Sequence, residues 1–222
     1  MERRALNEAL LVPDGVFVSL VHGANGVAIL TEAERARMAS FGHPNRRALF
    51  ALGRLAARTL LSTHLTYDPL DVPLIVAKDG APEVDGHAIE VSLSHTLSVN
   101  DTPLAVAAIA SQPLGVDIEA LKPRRRDLYR FLLHESEYPL LQNMAEHYCE
   151  PPEITIVRCW AMKEAVLKAL RTGFRLSPKK LRLDLALSSD APYSATARVQ
   201  GSAWQLHTTE VHGCALALAL PL

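Results

Sequence analysis

The chain has 222 residues, 49% of them hydrophobic and 21% charged, with a formal net charge of −1 at pH 7. That apolar content can bury a core, which excludes a disordered chain, and a net charge near zero argues against bulk nucleic-acid binding. No apolar run reaches the roughly 18 residues of a membrane span, and the opening MERRALNEALLVPDG is broken by Glu8, Pro13 and Asp14 before a signal-peptide core can form, so a cytoplasmic protein is expected. Cys149, Cys159 and Cys214 are an odd number without metal-ligand spacing, and a reduced, buried thiol is expected of each.

Residues 16–21 are strand-like, and TEAERARMASF, with Thr31 followed three residues later by Glu34, has the form of a capping-box helix start. PNRRALFALGRLAARTLLSTHL predicts a long helix with Pro44 near its first turn. VPLIVAKDGAPEV predicts a hairpin turning at Asp79-Gly80. AIEVSLS places Ile89, Val91 and Leu93 on one face, and after a polar loop, HTLSVNDTP, the run LAVAAIA reads as a buried strand. LGVDIEAL opens the second half as a strand. The charged KPRRRDLYRFLLHESEY leads on to a helix from residue 158, and LRLDLAL, YSATARVQG, AWQLHTTEV and CALALAL read as closing strands.

LFALGRLAARTL nearly repeats in CWAMKEAVLKAL 110 residues later, with Phe50 standing against Trp160, Arg54 against Glu164 and Arg58 against Lys168; CALALAL follows LAVAAIA at the same offset. The expected fold is α+β: two similar subdomains, 1–112 and 113–222, related by a pseudo-twofold, each a long helix on a small, mainly antiparallel sheet.

In LGVDIEAL the strand period puts Leu114, Val116 and Ile118 on one face and Asp117 and Glu119 on the other, about 7 Å apart along the backbone. Two such carboxylates invite a divalent cation, although a lone D-x-E also suits a solvated strand end. On the later helix, Met162, Ala165, Val166, Ala169 and Leu170 follow the core spacing. The other side carries Trp160, Glu164, Lys168 and Arg171, with Leu167 among them. Glu164 and Lys168 form either a surface i, i+4 pair or part of a ligand crevice between the halves. Arg46, Arg47, Arg54 and Arg58 crowd the first helix with groups suited to phosphate. Ser94 and His95, read as the end of a strand, offer a hydroxyl, an imidazole and free backbone N–H groups to an anion. No G-x-S-x-G elbow and no paired histidine spacing is present, which speaks against a serine hydrolase or a zinc site.

Taken in order, GRLAAR, SLSH, GVDIE and WAMKEAVLKAL resemble the motif set of the Sfp-type 4'-phosphopantetheinyl transferases, including the enterobactin-synthase-associated branch. The resemblance implies a monomer with a pseudo-dimeric fold that binds coenzyme A between its halves. It implies Mg²⁺, or Mn²⁺, on Asp117, Glu119 and Glu164, with Glu164 and Lys168 catalytic. Arg47, Arg54, Lys78, Ser94 and His95 would hold coenzyme A, whose phosphopantetheine passes to a serine of an apo acyl or peptidyl carrier protein. Many members carry a lysine where Ala81 stands, and Lys78 across the turn is the replacement on offer. The basic residues Lys122, Arg124, Arg125, Arg126 and Arg130 would meet an acidic carrier, with neither nucleic acid nor membrane as partner. The rival readings are an idle regulator that binds coenzyme A or carrier protein, and an unrelated Mg²⁺-dependent phosphohydrolase.

Overall fold

In the computed structural model, which describes residues 6, 9–23, 25–186 and 194–222, the first long strand is β1 (Phe17–His22) and the capping box starts α1 (Glu32–Ala39). Thr31 Oγ1 accepts from Glu34 N, and the Glu34 carboxylate accepts from Thr31 N, satisfying donors that the first helical turn leaves orphaned. The next helix, α2 (Pro44–Leu65), has the predicted bounds, and its proline stands where no intrahelical N–H bond is lost. Strands β2 (Leu74–Val76) and β3 (Pro82–Val84) form the predicted hairpin. They are followed by β4 (Glu90–Leu97), β5 (Pro103–Ala110) and β6 (Gly115–Ala120).

The charged segment after β6 contains two helices that the sequence analysis does not anticipate, α3 (Asp127–Leu132) and α4 (Tyr138–Tyr148). α4 is amphipathic, burying Leu141, Met144 and Ala145. α5 (Pro152–Ala169) starts earlier than residue 158, with proline again in its first turn and Ile156 and Val157 already in the core. The closing strands are β7 (Arg182–Ala186), β8 (Ser194–Val199), β9 (Ser202–Val211) and β10 (Cys214–Pro221). Leu187 and Tyr193, read above as strand residues, lie outside the described residues.

The strands form two antiparallel sheets, ordered β1-β5-β4 and β6-β10-β9-β8-β7, with the β2-β3 hairpin separate. Each sheet is entered by a strand, leaves it for a long helix, and ends with a strand inserted beside the first. Because side chains alternate along a strand, each inserted strand serves two layers. Leu104, Val106 and Ala108 of β5 meet Val116, Ile118, Leu216 and Leu218 of the other sheet. Ala105, Ala107 and Ile109 turn the opposite way, under Leu52, Ala56 and Leu60 of α2. Ala215, Ala217 and Ala219 of β10 likewise lie in the core built on α5. The chain is therefore layered helix, sheet, sheet, helix.

Gly115 sets the approach of α5 to β6, since a Cβ there would run into the backbone carbonyl of Ala165. That closeness brings the α5 side chains at 164 and 168 next to Asp117.

Three expectations are corrected. Cys149 is exposed, at the left-handed end of α4, while Cys159 and Cys214 are buried; all three are free thiols. β4 continues to Leu97, so Ser94 and His95 stand opposite Val106 and Ala105 inside the ladder. They do not sit in a terminal nest of free N–H groups. Leu167 is fully buried, because α5 is covered on most sides. Beyond its first turn, only Trp160, Glu164 and Lys168 of the helix stay partly open, with Arg171 just past its end.

Candidate active site

β4 and β6 belong to different sheets, and two serines bridge them. Ser92 Oγ accepts from Val116 N at 3.0 Å, and Ser94 Oγ donates to Asp117 Oδ1 at 2.7 Å. Lys168 reaches the same seam from α5, its Nζ donating to Asp117 Oδ1 at 2.7 Å, Val116 O at 3.1 Å and Leu93 O at 3.3 Å. Asp117 is only 3% exposed, and its Oδ2 is buried with no hydrogen-bond partner.

Glu119 and Glu164 share the electrostatics of this carboxylate. Burial, then the charge of Asp117, pushes each carboxyl up to about 7, against the opposing pull of Lys168 and, at Glu119, of Arg124. Three acids with one ammonium among them lack positive charge, and a hard divalent cation is the group that supplies it. Among the described residues no three His, Cys, Asp or Glu side chains are gathered closely enough to hold a metal ion by themselves. An open set of this kind fits Mg²⁺, which takes one or two carboxylates and fills its remaining positions with water and phosphate oxygens.

Beside the seam runs a cleft of about 410 Å³, walled by α2, the β2-β3 hairpin, β4 and the end of α5. Five cations line it, Arg37, Arg54, Lys168, Arg171 and Arg175, against Asp79 and Glu90. Arg54 Nε lies 3.5 Å from Glu34, and its buried Nη1 has no partner. Burial lowers its pKa against the pull of Glu34, with Arg58 and Arg37 adding to the lowering; an anion is the partner it lacks. Arg171 clamps the hairpin, with Nε 2.8 Å from Asp79 Oδ2 and Nη2 3.3 Å from Glu83 Oε2. His95 keeps an edge open to solvent while its ring packs on Gly53, where a Cβ would stand 3.3 Å from the imidazole. Desolvation of the ring, with Lys168 and Arg46 adding to it, lowers the His95 pKa against the pull of Asp117.

The remaining predicted residues are placed as follows. Lys78 is exposed on the hairpin and Arg47 is spent on Phe41 O at 2.7 Å; neither lines the cleft. Arg58 is wholly buried, tying α2 to Glu34 and to the carbonyls of Pro69 and Val72. Sequence reasoning missed Arg37, Phe50 and Arg175 as cleft residues, and the alignment of Phe50 with Trp160 in the repeat was the available signal for one of them.

On the far side of Glu119 a hollow of about 600 Å³ is lined by Pro123, Arg124, Arg125, Leu128 and Trp160. Arg124 is bonded to Glu119 at 3.1 Å, Lys122 to Asp101 at 2.8 Å, and Arg125 lies 3.5 Å from Asp127. Phe131, Trp160 and Phe174 form an aromatic group next to it, with Phe131 and Phe174 exposed. A third cavity, of about 350 Å³, has Arg158 in its wall, but Glu150 and Glu210 already take up that guanidinium.

Residues 113–219 match the family model of the 4'-phosphopantetheinyl transferase superfamily. The chain is 29% identical over 182 residues to the 4'-phosphopantetheinyl transferase HetI of Nostoc sp. strain PCC 7120, covering 81% of this chain and 73% of that protein. It is 25% identical over 151 residues to a 4'-phosphopantetheinyl transferase of Bacillus subtilis, covering 68% of this chain and 64% of that one. These matches support a transferase of this superfamily; they do not reach to the enterobactin-associated branch. No helix among the described residues is long and apolar enough to cross a membrane.

Proposed function

We propose, on the premise that this chain is a transferase of the 4'-phosphopantetheinyl transferase superfamily, that it moves the 4'-phosphopantetheine of coenzyme A onto a serine of an apo acyl or peptidyl carrier protein. The observation that supports this most is the adjacency of two features: an arginine-lined cleft, and a group of carboxylates at its end with Asp117 Oδ2 left unpartnered. A polyanion that must be held and then cleaved needs both. The two units, 1–112 and 113–222, divide the work: both supply cations to the anion wall, Arg37 and Arg54 from the first and Lys168, Arg171 and Arg175 from the second, and the second supplies the acids.

Asp117, Glu119 and Glu164 would hold Mg²⁺, with Mn²⁺ as the alternative hard ion, and its chemistry there is to neutralise the pyrophosphate. Arg54 and His95 bind the nucleotide end, where the unpartnered Arg54 Nη1 gains an anionic acceptor. The serine oxygen attacks the β-phosphorus, the bond from that phosphorus to the bridging oxygen breaks, and adenosine 3',5'-bisphosphate leaves with the bond's electron pair. Glu164 is placed to accept the serine proton, directly or through a water. Lys168, whose three donors are taken by Asp117 Oδ1, Val116 O and Leu93 O, would act on the leaving phosphate through its positive charge.

Incubation with coenzyme A, Mg²⁺ and an apo carrier protein should raise the carrier's mass by one phosphopantetheine. EDTA should stop the gain, and Mg²⁺ or Mn²⁺ should restore it. A carrier of unchanged mass, or turnover that survives exhaustive metal removal, would overturn the proposal.

For the carrier, the exposed Arg125 and Arg126 offer charge to an acidic partner, and the aromatic group beside them offers apolar contact. Arg124 and Lys122 are held in close pairs at 3.1 and 2.8 Å, whereas Arg125 is 91% exposed and lies a looser 3.5 Å from Asp127, so Arg125→Ser/Arg126→Ser isolates the effect. It should raise KM for the carrier several-fold and flatten its salt dependence, because attraction screened over about 8 Å at physiological ionic strength steers the encounter. KM for coenzyme A should stay put. An unmoved carrier KM would place docking elsewhere.

A further inference from the structure

We infer that Ser94 is a positioning residue for the cation-binding carboxylate and does not hold the nucleotide; this rests on the metal reading proposed above. The two oxygens of Asp117 are used unequally. Oδ1 accepts from both Ser94 Oγ and Lys168 Nζ, each at 2.7 Å, while Oδ2 is buried and accepts from nothing. With its side chain 4% exposed, the carboxylate has no water-facing alternative, so the two donors on Oδ1 decide where Oδ2 is presented. A serine has one O–H to donate, and that of Ser94 is committed to Asp117. Of the β4 run from Glu90 to His95, Ser94 alone is absent from the cleft wall. Its neighbour His95 does line the cleft. The hydroxyl thus reaches the bound ion through Asp117, from outside the anion site.

The test is Mn²⁺ affinity, read by electron paramagnetic resonance without coenzyme A, together with coenzyme A affinity of the metal-free protein by calorimetry. Ser94→Ala should weaken Mn²⁺ binding by about 10–100-fold, as loss of an outer partner to a metal ligand does, and leave coenzyme A affinity unchanged. Ser94→Thr, which keeps the hydroxyl, should restore Mn²⁺ binding. Should Ser94→Ala fail to fold, Ser94→Cys, similar in size and a weak donor, is read the same way. Mn²⁺ affinity equal to that of the parent protein, or a loss confined to coenzyme A, overturns the assignment. A parent protein that takes up no Mn²⁺ at all overturns the metal reading itself, and this assignment with it.

Discussion

Asp117→Asn and Glu164→Gln should each lower kcat by about 10²–10⁴-fold, the loss that follows removal of a positioned acid–base or charge-holding group. Both substitutions keep the side-chain volume, which matters most at Asp117, a buried group bonded to Ser94 and Lys168. With Asn at 117 the Lys168 ammonium retains the carbonyls of Val116 and Leu93 as acceptors, so the seam between the sheets should persist. The measurement is single-turnover transfer at saturating Mg²⁺, alongside a thermal melt. Near-normal turnover by either folded variant would remove that residue from the site. Glu164→Gln should lose rate with little change in KM for coenzyme A, since in the proposed mechanism its carboxyl acts on the incoming hydroxyl and the cation, and the nucleotide is assigned to the arginine wall.

Lys163→Met should destabilise the protein by about 3–5 kcal/mol, because breaking a buried ion pair strands its partner charge. Lys163 is 0% exposed and donates to Glu137 Oε2 at 2.7 Å and to the carbonyls of Leu181, Leu132 and Pro178 at 2.9, 3.0 and 3.2 Å. Glu137 in turn accepts from Leu183 N and His134 N. One ammonium therefore ties α5 to the end of α3, to the turn before α4 and to the start of β7. Methionine would leave a buried carboxylate unpaired and three carbonyls without their donor. Urea unfolding reads the loss, and a change below about 1 kcal/mol would show that the network is not what holds α5 in place. The double variant Lys163→Met/Glu137→Leu should lose less than the single one, since it removes the stranded charge. Activity should fall with stability here, for the neighbouring Glu164 depends on the rotation of α5 about its axis.

Much of the architecture was legible because it is written in short-range pattern. Thr31 and Glu34 close a capping box within one helical turn. The 22 residues of α2 carry their own boundaries, and the D-x-E alternation separates Val116 and Ile118 from Asp117 and Glu119 whatever lies on either side. The repeat at an offset of 110 residues led to the expectation of a long helix on a small antiparallel sheet in each half; the strand orders, with β5 and β10 inserted beside the first strand of each sheet, were not part of it. Residues whose meaning lies in a distant partner were misread or passed over. Arg58 has the look of a phosphate ligand but is used up inside the first unit by Glu34 and two carbonyls. Lys163 reads as one more helix lysine until α3, α4 and β7 close over it. SLSH suggested a strand end, whereas Ser92 and Ser94 lie mid-strand and bridge to β6.

By itself, then, the sequence determined most of the elements, the principal faces of the strands and long helices, and the types of side chain available for chemistry, because these follow from backbone periods of 2 and 3.6 residues and from the identity of the groups. Only the tertiary structure decided which acids share one field, which arginines keep a free N–H, and which oxygen of Asp117 is left without a donor. Those outcomes depend on contacts between residues far apart in the chain, such as Ser94, Asp117 and Lys168. Their energies arise from burial and from competition for a few donors, which no local pattern encodes.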